Sequence, residues 1–85
     1  PGIDSDTAVN KIVSSSLGPR VEYNDPFAIP DGSSLLYIVK IHEDMSLLNC
    51  FYDKLSELLV PIEHISHYFS QGAHRVIMKT INKTL

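Results

Sequence analysis

Cysteine occurs once in this sequence, at Cys50, so no disulfide can form within the chain. That usage fits a reducing compartment, and with no secretory signal in view the expected location is intracellular, cytoplasm and nucleus not being distinguished. Basic residues are also few: seven Lys and Arg stand against ten Asp and Glu, a formal net charge of −3. A nucleic-acid surface ordinarily shows as a basic excess, and an anionic membrane surface asks for the same, so neither partner is expected. No apolar run approaches the ~20 residues of a membrane-spanning helix. Glycine is sparse, four in all, and none sits in the clustered pattern of a phosphate-cradling loop. Internal repeats, low-complexity tracts and Cys-x-x-Cys or His-Glu-x-x-His spacings are missing too.

What is present suits one small folded domain: 85 residues, 44% apolar and 20% charged. A chain this short buries only about 60–65% of its unfolded surface, so modest stability is expected unless a partner helps. Opening on Pro1 rather than Met, it reads as one domain of a larger protein, and Pro1-Gly2 is set aside from the fold. Charge is uneven. Residues 1–44 carry seven acids and three bases, residues 45–85 three acids and four bases. Ordinary solvated faces account for that asymmetry as readily as a steering field does.

The chain divides into two parts. Residues 1–34 hold a short helix and a turn-rich segment. In the helix Asp4 or Ser5 can cap the first turn, Ala8, Val9, Ile12 and Val13 recur at helical spacing, and Gly18-Pro19 ends the element. Arg20 to Tyr23 alternates like a short strand, and Asn24-Asp25-Pro26 and Pro30-Asp31-Gly32 read as turns. Residues 35–85 form a strand–helix–strand–strand core. Leu35 to Ile41 is its clearest strand, with Leu35, Tyr37, Val39 and Ile41 on one face and Leu36, Ile38, Lys40 and His42 on the other. Asp44 then caps a helix running to Val60, whose stripe is Leu48, Phe51, Tyr52, Leu55, Leu58 and Leu59, stopped by Pro61. Two strands come next, "IEHISHYF" and "HRVIMKTI", joined by a hairpin turn at Ser70 to Ala73.

The expected fold is therefore α+β: a small two-layer sandwich, ferredoxin-like or permuted to α-β-β-α-β-β, with an antiparallel sheet and both helices on one face. The stretch "YIVKIHEDMSLLNCFYDKLSELLVPIEHISHYFSQGAHRVIMKT", Tyr37 to Thr80, resembles ACT domains, the regulatory modules of amino-acid metabolism. It shares a strand ending in an acidic loop, a helix of "LL…F…L" pattern and a following strand. The resemblance implies a ferredoxin-like fold that pairs through sheet edges or faces and a ligand loop at His42, Glu43, Asp44, Met45 and Ser46. That loop lacks the glycine that the family usually places near the helix start.

Candidate chemistry is thin. His64 and His67 lie three apart, so on a strand they point to opposite faces, and only a tight turn could bring His74 opposite one of them. Exposed strand histidines are the plainer reading, and no metal or cofactor is expected. Cys50 sits mid-helix beside the apolar stripe, where a thiol behaves as a small core residue; no catalytic residue is assigned and no enzymatic activity is expected. Ser14-Ser15-Ser16 weakens a helix end, and Asn82-Lys83-Thr84 is a chance glycosylation triplet. Asp44 and Glu43 suit a helix start without any ligand. The most informative residues are Leu36 and Ile38, which face away from the main helix, with Ile77 and Ile81, or Val76 and Met78, beside them. Either this face meets a partner, or the first helix or residues 20–34 fold back over it. The expected function is a non-enzymatic protein–protein interaction or oligomerisation module, contacting a protein partner or a second copy through Leu36, Ile38, Ile77 and Ile81. The alternative is a regulatory domain sensing an amino-acid-type small molecule at His42 to Met45.

Overall fold

A computed structural model describes residues 5–15 and 17–81, with only the backbone at Ser15. Asp4, Ser16 and the Asn82-Lys83-Thr84 triplet lie outside the described residues. The elements are α1 (Ser5–Ser15), a short 3-10 turn (Gly18–Arg20), β1 (Val21–Tyr23), β2 (Phe27–Ala28), β3 (Ser34–His42), α2 (Met45–Glu57), β4 (Ile62–Ser70) and β5 (Ala73–Ile81). Every strand pairing is antiparallel, in the order β1-β3-β5-β4, with β2 continuing the β1 edge along β3. Both helices pack on one face. This is the expected two-layer α+β sandwich; the strand expected over Arg20 to Tyr23 forms at Val21–Tyr23, with Arg20 in the 3-10 turn before it, and a second short strand follows Pro26. Among the described residues no helix is long and apolar enough to cross a membrane.

Alternation in β3 decides the core. Tyr37, Val39 and Ile41 are fully buried against the helices, opposite Met78, Val76 and His74 of β5. From α2 come Leu48, Phe51 and Leu55; from α1 come Ala8, Val9 and Ile12. The α1 stripe enters the same core as α2, so the N-terminal helix closes the helical layer and does not wrap the sheet. Ser5 is already helical and buried, its hydroxyl donating to the Ile81 carbonyl at 3.5 Å.

Asp44 caps α2 as expected, its carboxylate accepting from Ser46 N–H (2.8 Å) and Leu47 N–H (3.3 Å). The far end departs from expectation. α2 stops at Glu57, Leu59 turns left-handed (φ +53°), and the N–H groups of Leu59 and Val60 donate back to Ser56 and Leu55. That is a Schellman closure without its usual glycine. Its consequence is that Leu59 leaves the stripe and stands 82% exposed, while Val60 tucks in beside Leu55.

A bulge between Ile62 and His64 explains why β4 alternates imperfectly. Ile62 lies opposite Thr80 and His64 opposite Lys79, so Ile62 and Ile65, three apart, both reach the helical side. The β4–β5 connection is the two-residue turn Gln71-Gly72, left-handed at both positions (φ +54° and +74°), the signature of a type I′ hairpin.

Candidate interaction face

The side of the sheet away from the helices is built by the other parity. Register puts Phe27 beside Leu36, and Leu36 beside Lys79. The next outward row holds Ile38, Ile77 and Ser66; the row after it holds Glu22, Lys40, Arg75 and Tyr68. Ser34 and Ile81 close one end of the face, His42 and Ala73 the other. Leu36, Ile38 and Ile77 are half-buried, whereas Phe27, Tyr68 and Ile81 are exposed. Val76 and Met78 lie on the opposite, core side, so Ile77 and Ile81 are the β5 residues that join Leu36 and Ile38.

Neither α1 nor residues 20–34 cover this face. The helix is on the other side, and the segment is used up in β1, β2 and their turns along the edge of β3. The apolar centre is ringed by charge. Glu22 pairs with His42 and lies 3.7 Å from Lys40; Glu63 meets Lys79 at 3.5 Å and accepts from the Ser34 hydroxyl at 2.9 Å. The His42 hydrogen bond, then the Lys40 charge, holds the Glu22 carboxyl below the usual range. Arg75 bends over the hairpin, donating to the Ser70 carbonyl and to Gln71.

The loop His42 to Ser46 uses its polar groups internally. His42 is taken by Glu22, and Asp44 holds the helix start and meets Arg20 at 3.0 Å. Its carboxyl is lowered chiefly by the Leu47 N–H, with Ser46 N–H and Arg20 adding to it. Glu43 is left-handed (φ +48°), the conformation for which a glycine is the ordinary choice, and its N–H donates to the Gly72 carbonyl at 3.0 Å. A Cβ on Gly72 would stand 2.8 Å from Glu43 Oε1, so the loop and the hairpin tip are fitted to one another. Met45 is exposed at the helix start.

The histidines divide as their spacing requires. His64 is on the open face, hydrogen-bonded to Ser66 at 2.9 Å. His67 is on the helical side, where the hairpin brings His74 to it: Nε2 and Nδ1 stand 3.1 Å apart, one donating and the other accepting. His74 is buried, with Phe69 edge-on at 4.8 Å, and Tyr52 flanks His67 at 6.4 Å. Among the described residues no three His, Cys, Asp or Glu side chains gather as a metal set. Cys50 is half-buried against the core from mid-helix.

Sequence reading missed one further feature, a groove of about 410 Å³ between the end of α2 and β4, lined by Tyr52, Leu55, Leu59, Val60, Ile62 and Ile65. It depends on the Leu59 turn and the β4 bulge; Pro61 between them announces the helix stop, but no glycine marks the left-handed residue or the bulge. Comparison with known proteins finds no matching family, no similar curated protein and no similar solved structure.

Proposed function

We propose that this domain is a non-enzymatic protein–protein interaction module whose contact surface is the open face of its sheet. The observation that carries the reading is the apolar centre of Leu36, Ile38 and Ile77, extended by Phe27 and Ile81 and left uncovered by either helix. An apolar centre inside a charged rim is the usual anatomy of a protein contact. The amino-acid-sensing alternative draws less support, because the polar groups of His42 and Asp44 already serve the fold. Concentration-dependent NMR of the isoleucine methyls, alongside light scattering, tests the reading. The Ile38 and Ile77 methyl signals shift as mass rises, and Ile38→Asp abolishes both changes without unfolding the chain. Association that leaves those methyls unmoved, or that survives Ile38→Asp, would refute the face as the contact.

A further inference from the structure

We infer that His67 and His74 form a binding site for a divalent transition-metal ion of the zinc type, held by His67 Nε2 and His74 Nδ1. The inference goes beyond the open face and does not rest on it. Those two nitrogens stand 3.1 Å apart. A zinc–imidazole bond is about 2.0–2.1 Å, so two nitrogens on one tetrahedral ion lie about 3.3–3.4 Å apart, and two at a right angle about 2.9 Å. The observed spacing falls between these, so one ion can take both nitrogens with ring movements of a few tenths of an ångström. The approach is also the one a ligand pair needs. With ring centroids 5.2 Å apart and planes at 35°, the rings meet edge to edge, these nitrogens leading, and the lone pairs lie in the ring planes.

The hairpin creates this meeting. His67 lies opposite Val76 and His74 opposite Phe69, so the two histidines are diagonal neighbours on the helical side, within reach of long ring side chains. The tight turn fixes that register, and a slip of one residue would put the two rings on opposite faces. His74 is buried, Phe69 is edge-on to it, and Tyr52 flanks His67, so both rings are held before an ion arrives. The cationic side chains of β3 and β5, which are Lys40, Arg75 and Lys79, all belong to the open face, so no cation of these strands opposes a positive ion here. His42 and His64 are placed differently, the first taken by Glu22 and the second by Ser66.

The donor set selects the class of ion. Neutral imidazole suits Zn²⁺, Ni²⁺ and Cu²⁺, whereas Mg²⁺ and Ca²⁺ take oxygen ligands. Without metal, one of the facing nitrogens carries the proton of the hydrogen bond and the other accepts it. An ion needs both lone pairs, so that proton moves to the outward nitrogen of the same ring, Nδ1 of His67 or Nε2 of His74. Both imidazoles stay neutral, and no proton is released. Among the described residues no third His, Cys, Asp or Glu completes the set, so the ion keeps open positions for water and its affinity is moderate. The two nitrogens are held together only in the folded hairpin. Binding therefore stabilises the fold by mass action.

Titration of the untagged chain with zinc chloride, followed by nitrogen NMR of the imidazole rings and by Tm, tests this. Zn²⁺ is expected to shift His67 Nε2 and His74 Nδ1, to leave the ring protons on His67 Nδ1 and His74 Nε2, and to raise Tm, saturating below millimolar concentration. Measured by Tm, Cu²⁺ half-saturates at a lower concentration than Zn²⁺, following the usual order of affinities, and Mg²⁺ has no effect. His67→Gln, at an exposed position outside the core, raises the half-saturating zinc concentration by at least about tenfold, the least that even an outer-shell partner of a metal ligand is worth. His74→Asn does the same, and His42→Gln and His64→Gln leave the concentration unchanged. Ring nitrogens of His67 and His74 that do not move at millimolar Zn²⁺ overturn the inference. So does a zinc response that survives His67→Gln unweakened, or one that His42→Gln or His64→Gln abolishes, because the ion then sits at an exposed histidine elsewhere.

Discussion

Thr80 gives the sharpest test of the packing on which the open face depends. It lies on β5 opposite Leu35 and Ile62, is fully buried, and its hydroxyl has no hydrogen-bond partner among the described residues. In the unfolded chain that hydroxyl is hydrated, so folding strips it of water and returns nothing. Leaving a buried polar group unpaired costs about 1–3 kcal/mol. Thr80→Val replaces the hydroxyl by a methyl of nearly the same volume and keeps the β-branched shape that a central strand favours. It is expected to stabilise the domain by about 1–2 kcal/mol. For a chain of this size that raises Tm by roughly 4–15 °C. Thr80→Ser keeps the hydroxyl and loses a buried methyl, so it should lose about 1 kcal/mol. Urea unfolding measures both, and an unchanged m-value shows that the unfolded state is not the source. A Thr80→Val chain that is neutral or less stable, with m unchanged, would mean the hydroxyl is paired and the argument fails. The substitution faces the core and does not touch the open face, so it also supplies a firmer background for the surface variants.

Two further predictions concern pH. Asp44→Ala should lower Tm by removing the cap of α2, while Asp44→Asn keeps most of the stability through its own carbonyl. Because folding lowers the Asp44 carboxyl, its contribution is present above its ordinary value of 3.8 and lost as pH falls through the folded value; the gap between wild type and Asp44→Ala, measured as Tm, closes there. Tyr23 is pushed up to about 12 by burial, with the Asp6 carboxylate, which accepts from its hydroxyl at 3.3 Å, and Asp25 adding to the shift. A raised value favours the protonated phenol in the fold, so that contribution is present below about 10 and is lost as pH rises toward 12. Phenolate absorbance should show a high step that Tyr23→Phe removes and that denaturant moves back to the ordinary range.

The parts of this fold that the sequence announces are those governed by one local rule. β3 could be read because Tyr37, Val39 and Ile41 alternate with Leu36, Ile38 and Lys40, and its parity alone put Leu36 and Ile38 on the open face. α2 could be read from Asp44 and its stripe, and the hairpin from Gly72. The features that could not be read depend on conformations that ordinary residues adopt against their preference. Leu59 and Glu43 are left-handed with no glycine to mark them, and each redirects the chain: one exposes a leucine of the stripe, the other locks the β3–α2 loop to the hairpin tip. The β4 bulge hid the true faces of Ile62 and Ile65 in the same way. Whether the open face is covered was beyond local rules altogether, because it depends on which side of the sheet α1 takes. The burial of Ala8, Val9 and Ile12 beside α2 decides that.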